Sequence, residues 1–178
     1  MDHDTNVVAA AMLAVADRMN DAIAVATDRG GAHPAALTAL HGWAGGSSIE
    51  SLARGLSLSH SRTVRIVNDL VIDELAVRSA SADDRRQVLV SLTAAGTAAA
   101  EAVLSARGDV LERALAGLSE NERQALAGAA ETILATTVNS RVEARVACRL
   151  CDLEACGHET GRCPSTRAAD WAESSRQV

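Results

Sequence analysis

The hydrophobic residues of the amino-terminal segment recur every three or four positions, as they do along one face of an α-helix. This period predicts a long amphipathic helix over 6–27. Two glycines and a proline interrupt the pattern after it, since these residues terminate helices. A shorter helix is predicted over 34–43, followed by a glycine- and serine-rich loop up to Ser48.

The next segment predicts two short helices joined by a tight turn. The apolar spacing over 49–56 predicts the first helix, and the serine-rich stretch 57–59 predicts the turn. Ser59 is placed to cap the second helix, which runs to about Glu74. At 100° per residue, this second helix has an aliphatic face and an opposite polar face. The polar face consists of Ser61, Arg62, Arg65, Asn68 and Asp69.

Past residue 74 the hydrophobic period changes to two. Apolar residues alternate with others over 75–78 and again over 88–92, on either side of the polar segment 79–86. Alternation of this kind predicts two β-strands, and a polar tip between them predicts a hairpin.

Two further amphipathic helices are predicted, the first over 93–117 and the second from 118 to about 146. Ser119 and Glu122 match a capping box at the start of the second helix. These helices and the amino-terminal one exceed what a small helix-turn-helix unit needs to cover its core. Their surplus apolar stripes favour a helical dimer interface over a monomeric helical bundle.

The expected fold is therefore mainly α with a small β-wing: a winged helix-turn-helix joined to a helical dimerisation region. We assign an N-terminal dimerisation helix to 1–33 and the winged helix-turn-helix to 34–96. The C-terminal dimerisation helices take 97–147, and a cysteine-rich, metal-binding tail takes 148–178.

The composition agrees with a helical fold, but the net charge and the local charge point to different partners. None of the 178 residues is Phe, Tyr or Lys, so the core must be built from aliphatic residues and Ala, the best helix former. The net charge of −6 argues against nucleic acid. The segment 53–68, however, holds Arg54, Arg62 and Arg65 and no acidic residue. Such a local basic face can bind phosphate, because exposed charges are screened beyond about 8–10 Å at physiological salt.

The amino terminus has the wrong charge pattern for a secretory signal, since it carries Asp2 and Asp4 and its first arginine is Arg18. The longest uninterrupted apolar run, 7–16, is well short of the roughly 20 residues of a membrane span. The sequence thus predicts a cytoplasmic protein. In that reducing compartment, cysteines are more often metal ligands or redox groups than structural disulfides.

A polar helix after a tight turn, followed by an arginine-tipped hairpin, suits duplex DNA. The major groove admits one helix, and an arginine can bind guanine O6 and N7 with two hydrogen bonds. The hairpin would reach the adjacent minor groove, whose negative potential attracts arginine. The predicted DNA contacts are Ser59, Ser61, Arg62, Thr63, Arg65, Asp84, Arg85 and Arg86.

The stretch 49–96 resembles the MarR family of bacterial transcriptional regulators. The resemblance rests on Ser61-Arg62-Thr63-Val64, on the Asp84-Arg85-Arg86 tip and on the closing strand-to-helix segment 90–96. The order of the helices extends it over about 6–146. It implies a homodimer that is joined by its terminal helices, binds a palindromic operator and usually represses the target gene. It also implies that Arg86 enters the minor groove and that Asp84 orients it.

The resemblance fails at one position and leaves the effector open. Many members have glycine just after the recognition helix, in a Glu-Arg-Gly-Leu sequence, where this chain has Asp73-Glu74-Leu75-Ala76. The turn into the wing is therefore expected to differ in geometry. Many members also bind a small anionic molecule between the DNA-binding lobe and the dimer helices. Trp43 and His41 lie near such a pocket, although a core Trp and a surface His are their commoner roles.

All four cysteines lie within 148–163, with the spacing C-x2-C-x4-C-x6-C. A Cys-x-x-Cys turn presents two thiolates to one metal, and two more ligands complete the tetrahedron that zinc prefers. The predicted ligands are Cys148, Cys151, Cys156 and Cys163, with His158 as an alternative to Cys156. Four thiolates can also hold an iron–sulfur cluster, and some ferredoxin motifs end in Cys-Pro as this one does. The third alternative is a metal-free redox switch in which Cys148 and Cys151 form a reversible disulfide.

This tail is not part of the family core, so the resemblance says nothing about it. We expect the tail to tie down the carboxyl end of the dimer helix, so that metal loss or oxidation alters DNA affinity. The overall prediction is a dimeric DNA-binding regulator and not an enzyme. One alternative is a thiol–disulfide redox protein using Cys148 and Cys151, which is weakened because the motif follows a long helix and not a βαβ unit. The other is a protein-interaction module that has lost DNA binding, in keeping with the negative net charge.

Overall fold

The computed structural model describes residues 1–81 and 87–175. Over these residues the fold is mainly α with a small antiparallel sheet, as the sequence predicts. The helices are α1 His3–Thr27, α2 His33–His41, α3 Ile49–Leu56, α4 His60–Ile72, α5 Ala94–Leu115, α6 Glu120–Thr137, α7 Arg141–Ala147 and α8 Pro164–Ser175. The strands are β1 Ser47–Ser48, β2 Ala76–Ala80 and β3 Val88–Leu92.

Helices α2, α3 and α4 pack with the three strands around one aliphatic core, and we call this unit the reading lobe. Its fully buried large side chains are Leu37, Leu52, Val67, Leu70 and Val90. The predicted hairpin is confirmed, because β2 pairs with β3 antiparallel from Ala76↔Leu92 to Ala80↔Val88. The sequence missed β1, which lies in the predicted loop and pairs with the other edge of β3.

The predicted caps are confirmed at both helix starts. The Ser59 hydroxyl accepts a hydrogen bond from the Arg62 N–H at the start of α4. Ser119 and Glu122 form the reciprocal capping box at the start of α6. Each cap satisfies backbone donors that have no partner within the helix, so these residues fix where α4 and α6 begin.

The long helices depart from prediction at one place. The sequence predicts a single helix from 118 to about 146, but α6 ends at Thr137 and a separate α7 begins at Arg141. The Ser140 hydroxyl accepts from the Glu143 N–H, and the Glu143 carboxylate accepts from the Asn139 N–H. These side chain–backbone bonds compete with helical ones and stop α6, which explains the error.

The amino-terminal and carboxy-terminal parts pack against different partners. Helix α1 lies along α5, whereas α8 packs against α6 and α7. Val138, Ala144 and Ala169 form a second, small apolar cluster there. Arg141 of α7 pairs with Asp170 of α8 at 2.5 Å. In the described part of the chain, no helix has both the length and the apolar character needed to cross a lipid bilayer.

Candidate nucleic-acid interface and cysteine cluster

The tight turn between α3 and α4 sets the direction of α4. Ser57 adopts a left-handed conformation at φ +53°, and its N–H returns to the carbonyl oxygens of Ala53 and Arg54. The Ser59 cap then starts α4 two residues later. The solvent-facing residues at the start of α4 are His60, Ser61, Arg62 and Arg65, and we call them the reading face. Three of the predicted DNA contacts, Ser61, Arg62 and Arg65, thus lie together on one exposed surface.

Two other predicted contacts have structural roles. Thr63 is fully buried, and its hydroxyl donates to the Ser59 carbonyl at 3.1 Å. The DNA contact predicted for Thr63 is therefore corrected: this side chain faces the core and holds the first turn of α4. Its position 200° around the helix from Ser61, on the aliphatic side, was the available signal. Ser59 is exposed, but its hydroxyl is engaged as the cap and lies 3.3 Å from the Ser61 hydroxyl.

The acidic residues at the far end of α4 have partners in the α1–α2 connection and at the start of α2. The Asp69 carboxylate lies 2.9 Å from His33 Nε2, and Asp73 forms an ion pair with Arg29. Both carboxylates are therefore engaged by side chains from another segment. Local sequence gave no signal for either pair, since the partners are 36 and 44 positions apart.

A further contact links α4 to the wing. Arg78 of β2 donates through Nη2 to the Asn68 side-chain oxygen at 2.6 Å. The pair links the strand β2 to α4. Sequence analysis missed Arg78, because strand alternation places it on the same side of β2 as the buried Ala76.

The turn into the wing keeps a left-handed residue without glycine. Glu74 has φ +58°, in the left-handed region that favours glycine. The Thr93 side chain donates to the Glu74 carbonyl at 2.7 Å, and the Thr93 N–H donates to the Leu75 carbonyl at 3.0 Å. Gly96 closes this corner, because a Cβ there would lie 1.9 Å from the Leu75 carbonyl oxygen. The turn into the wing therefore has a left-handed residue that is not glycine, held by two hydrogen bonds from Thr93.

The predicted wing-tip contacts Asp84, Arg85 and Arg86 lie outside the described residues. The described hairpin ends with the Ser81 N–H donating to the Gln87 carbonyl at 2.9 Å. The wing strands therefore bring the two flanks of the tip together on the α4 side of the lobe, where β2 contacts α4.

The four cysteines are brought into one neighbourhood, which we call the cysteine cluster. Cys148 ends α7, Cys151 and Cys156 lie in turns, and Cys163 precedes α8. The Cys151 thiol lowers the pKa of Cys148 to about 6, against the opposing effect of burial. The same interaction, together with burial, raises the pKa of Cys151. Burial, with the Cys163 thiol, raises the pKa of Cys156 to about 11.

Within 1–81 and 87–175, no three or more His, Cys, Asp or Glu side chains are already arranged to hold a metal ion. Cys163 is only 1% exposed, and all four thiols are free of disulfide bonds. His158, the alternative ligand, has its Nδ1 3.1 Å from the Thr166 hydroxyl. The cluster is thus a set of neighbouring reduced thiols.

The segment that carries the cysteines docks on the reading lobe. The buried Thr38 hydroxyl of α2 donates to the Arg149 carbonyl at 2.5 Å, and Leu150 packs on the lobe core. The expectation that the tail ties down the end of the dimer helix is therefore incomplete. Helix α8 does pack on α6, but 149–153 packs on α2.

A second contact joins α7 to the helix-turn-helix. The Arg145 guanidinium lies over the Trp43 ring, 5.0 Å from its centroid. The other side of this ring lies on α3, where a Cβ at Gly55 would be 2.0 Å from Trp43 Cη2. Trp43 is thus a half-buried bridge between lobe and tail.

A cavity of about 680 Å³ lies between α2, α5 and the cysteine segment. It is lined in part by His41, Glu101, Cys151 and Glu159. His41 is exposed at its edge, and Trp43 is not among its lining residues.

The chain was compared with known proteins. No family model matches it, and no curated protein matches it. Among solved structures, a probable transcriptional regulator from Pseudomonas aeruginosa is 30% identical, with a TM-score of 0.54 over 68% of this chain and 92% of that one. Wild-type MarR from Escherichia coli, in its apo form, is 21% identical, with a TM-score of 0.61 over 75% and 98% of the two chains. A mutant of MepR from Staphylococcus aureus, bound to an oligodeoxyribonucleotide, is 17% identical, with a TM-score of 0.60 over 76% and 99%.

These similarities establish the fold. The solved structures similar to this chain are MarR-family winged-helix regulators, and each match covers nearly the whole of the other chain. About a quarter of this chain lies outside these matches.

Proposed function

We propose that this chain, which has the winged-helix fold of the MarR-family regulators, is a member of that family and acts as a homodimeric, DNA-binding repressor. The observation that carries the proposal is the state of α4. Its reading face exposes Arg62 and Arg65, while the carboxylates of Asp69 and Asp73 at its far end are paired elsewhere. A helix with exposed guanidinium groups, whose own carboxylates are engaged by another segment, suits the phosphates and base edges of a major groove.

In the proposed complex, α4 lies in the major groove and the wing tip reaches the neighbouring minor groove. Arg62 and Arg65 contact guanine or phosphate, and the Ser61 hydroxyl and the amino-terminal end of α4 contact phosphate. Arg85 and Arg86 of the tip enter the minor groove, and Asp84 orients a guanidinium there. The hydrogen bond between Arg78 and Asn68 supports this arrangement, because it links the strand β2 to α4.

The homodimer is supported by apolar surface at both ends of the fold. Helix α6 has no buried residue within the chain, and its Leu126 and Ile133 are exposed. Helix α1 likewise exposes Met12 and Leu13. Contiguous apolar surface of this kind marks an interaction site. A two-fold dimer formed through these helices would present two copies of α4 to a palindromic operator.

The function proposed here is regulatory and not enzymatic, and the solved structures that resemble the chain are transcriptional regulators. The cysteine tail is its proposed sensory element, responding to a bound metal, zinc or an iron–sulfur cluster, or to oxidation. A small-molecule effector is proposed for the cavity of about 680 Å³. The chain is proposed to act in the cytoplasm, where its operator is.

One observation favours a second candidate, a thiol–disulfide redox protein. The Cys151 thiol lowers the pKa of Cys148 to about 6, which favours the nucleophilic thiolate. A hydroperoxide would oxidise the two thiols to a Cys148–Cys151 disulfide, with the peroxide reduced to water and alcohol. Cys151 is the resolving thiol in this scheme, and a Cys151→Ser change would abolish the intramolecular disulfide.

The repressor proposal is tested by titrating the purified protein onto a duplex carrying the upstream region of its own gene. Arg62→Ala and Arg65→Ala should each weaken binding by about 1–3 kcal/mol and relax the sequence preference. The Arg85→Ala, Arg86→Ala double change should weaken binding to most sequences about equally. An Arg113→Ala, Arg167→Ala double variant, with two exposed arginines on other helices removed, is the charge-matched control. Equal effects of all these variants would contradict the proposed interface.

A further inference from the structure

The strongest unassigned feature of the molecule is the cysteine cluster, because its thiols interact with one another. Cys148 interacts with the thiols of both Cys151 and Cys163, and Cys156 interacts with that of Cys163. The residues are spread over 148–163, which contains no helix or strand. Left-handed turns at Gly157 and Gly161 fold this segment back on itself. The Cys151 N–H donates to the Cys148 carbonyl at 2.9 Å, so a tight turn brings these two cysteines together. Four cysteines in a short segment without regular structure are typical of a metal-stapled loop.

A buried hydroxyl gives independent evidence for a ligand. Ser165 is 1% exposed, and its Oγ is the buried side-chain atom, among those described, that has no hydrogen-bond partner. It lies beside Cys148, close enough to act on the charge of that sulfur but without a hydrogen bond to it. A buried unpaired hydroxyl is costly, and a neutral thiol is a weak acceptor. A metal-bound thiolate is a charged acceptor, so ligation of Cys148 would give this hydroxyl its partner.

A permanently charged cation lies near the cluster. The Arg107 guanidinium of α5 acts on Cys151 and Cys156. A divalent ion bound by four thiolates carries a net charge of −2. The guanidinium would offset part of that charge, and it comes from a helix outside the cysteine segment.

We propose that Cys148, Cys151, Cys156 and Cys163 bind one zinc ion as four thiolates, and that the ion is the clasp that holds the cysteine segment on the reading lobe. Binding replaces the protons that remain on the thiols, which leave to solvent, with Zn–S bonds to four thiolates, and no electron is transferred. The sulfurs must close to tetrahedral positions about 2.3 Å from the ion. Closure on binding accords with the general coupling of metal binding to local folding.

The contacts between the thiols favour a single ion over an iron–sulfur cluster. Each cysteine of a four-iron cluster binds a different iron, so the sulfurs are held apart around the inorganic core. Here Cys163 interacts with both Cys148 and Cys156. All four cysteine sulfurs are free of disulfide bonds and suffice for a tetrahedral site, so His158 is not required as a ligand.

The clasp has defined consequences for the lobe. The segment beside Cys148 supplies the Arg149 carbonyl to Thr38, and Leu153 packs so closely on α2 that a Cβ at Gly42 would lie 2.8 Å from its Cδ1. One turn earlier, Arg145 covers Trp43. Release of the metal would free these contacts and expose the Trp43 ring. That this release alters DNA affinity rests on the proposed function; the zinc site itself does not.

The metal is tested on the full chain, purified with a thiol reductant and without oxygen. Elemental analysis should give one zinc per chain, and the protein should be colourless. Cobalt(II) exchanged into the site should give the absorption of a tetrahedral thiolate complex. Iron with acid-labile sulfide and visible absorption, or the absence of any bound metal together with failure to bind added zinc, would overturn the proposal.

Two serine variants test the ligand environment without removing a cysteine. Ser165→Ala should weaken zinc affinity about 10–100-fold, the usual effect of losing a hydrogen bond to a metal ligand. Ser174→Ala, on the exposed side of the same helix, should leave the affinity unchanged. Equal affinity of the two variants in a competition with a chromophoric chelator would contradict the role given to Ser165.

The fluorescence of Trp43 reports whether zinc holds the cysteine segment on the reading lobe. The chain has two tryptophans and no tyrosine, and Trp171 is 76% exposed, so Trp171→Phe isolates the Trp43 signal. Removal of zinc should shift this emission to longer wavelength, and re-addition should restore it. An unchanged emission while zinc leaves would overturn the clasp. This fluorescence experiment contains no DNA. If the protein binds zinc in this way but binds no duplex, the DNA-binding proposal is wrong and the zinc site still holds.

Discussion

The reading lobe and the cysteine segment are held together by different physical means. In the lobe, fully buried side chains such as Leu52 and Val67 interdigitate from three helices and a sheet. Over 148–163 the buried residues are Gly157 and Cys163, and Leu150 and Leu153 are half-buried. The lobe is therefore stabilised by burial of aliphatic surface. The cysteine segment has too little of it, and depends on turns, on docking to α2 and on the chemistry of its sulfurs.

The difference shows where a regulator of this kind can place a switch. A packed aliphatic core has one stable arrangement and responds little to small molecules. A segment without such a core can change state at low cost, provided that it touches the core when ordered. The Thr38–Arg149 and Trp43–Arg145 contacts are where the two regions meet.

The largest expected effect on the free energy of unfolding comes from a substitution in the core of the lobe, and a matched one in the tail should have little effect. Leu52→Ala should lower the free energy of unfolding by about 3 kcal/mol, because it leaves a cavity in a fully buried site. The matched change Leu153→Ala, at a half-buried position, should cost about 1 kcal/mol or less. Urea unfolding at one fixed protein concentration measures both. Equal losses would mean that the tail contributes to the global core, contrary to the comparison.

The next effect concerns the corner between the lobe and α5. Gly96→Ala should destabilise the fold by about 2 kcal/mol, since its Cβ would meet the Leu75 carbonyl at 1.9 Å. Gly108→Ala in the same helix meets no atom within 4 Å and should stabilise it by up to about 1 kcal/mol. Thermal unfolding of the pair gives the comparison. A neutral Gly96→Ala would show that this corner is not close-packed.

A smaller effect tests the start of the recognition helix. Ser59→Ala should lose about 1 kcal/mol, because the Arg62 N–H loses its acceptor, whereas Ser59→Asp should retain most of the stability. Hydrogen exchange at the first turn of α4 should increase in the alanine variant only. If both variants behave alike, the cap is not what fixes the start of α4.

The smallest effect sharpens the account of the turn into the wing. Glu74→Gly should gain about 0.5 kcal/mol, since glycine adopts φ +58° without a side-chain clash but has more freedom in the unfolded chain. Glu74→Ala should give no gain, because alanine keeps the clash. A loss of stability in the glycine variant would mean that the Glu74 side chain makes a contact of its own.

Much of the lobe could be predicted from sequence because its signals are local. The Ser59 cap, the helix period of α4 and the alternation in β2 and β3 each depend on neighbouring residues. The break after Thr137 was missed because an apolar helical period continues through it, and only the Asn139–Ser140 pair competes with that period. Strand β1 was missed because two serines carry no alternation.

The candidate site was predictable where it depends on the helical period, and not where it depends on contacts between distant segments. Helical angles place Arg62 and Arg65 on the exposed side of α4, and they place Thr63 on the buried side. The partners of Asp69 and Asp73 were not predictable, because ion pairs between distant segments leave no pattern in the sequence. The docking of the cysteine segment on α2 was not predictable for the same reason, since Thr38 and Arg149 are 111 positions apart.

The most direct measurement of the central claim is the salt dependence of binding to the upstream duplex. For the unaltered protein, the logarithm of the association constant should fall linearly with the logarithm of salt concentration. Each phosphate contact that is lost should make the slope shallower by about 0.9. The Arg62→Ala, Arg65→Ala double variant should therefore bind more weakly and show a shallower slope or a lost sequence preference, while Arg113→Ala, Arg167→Ala leaves both unchanged. Identical titrations for the two double variants would contradict the assignment of α4 as the DNA-reading helix.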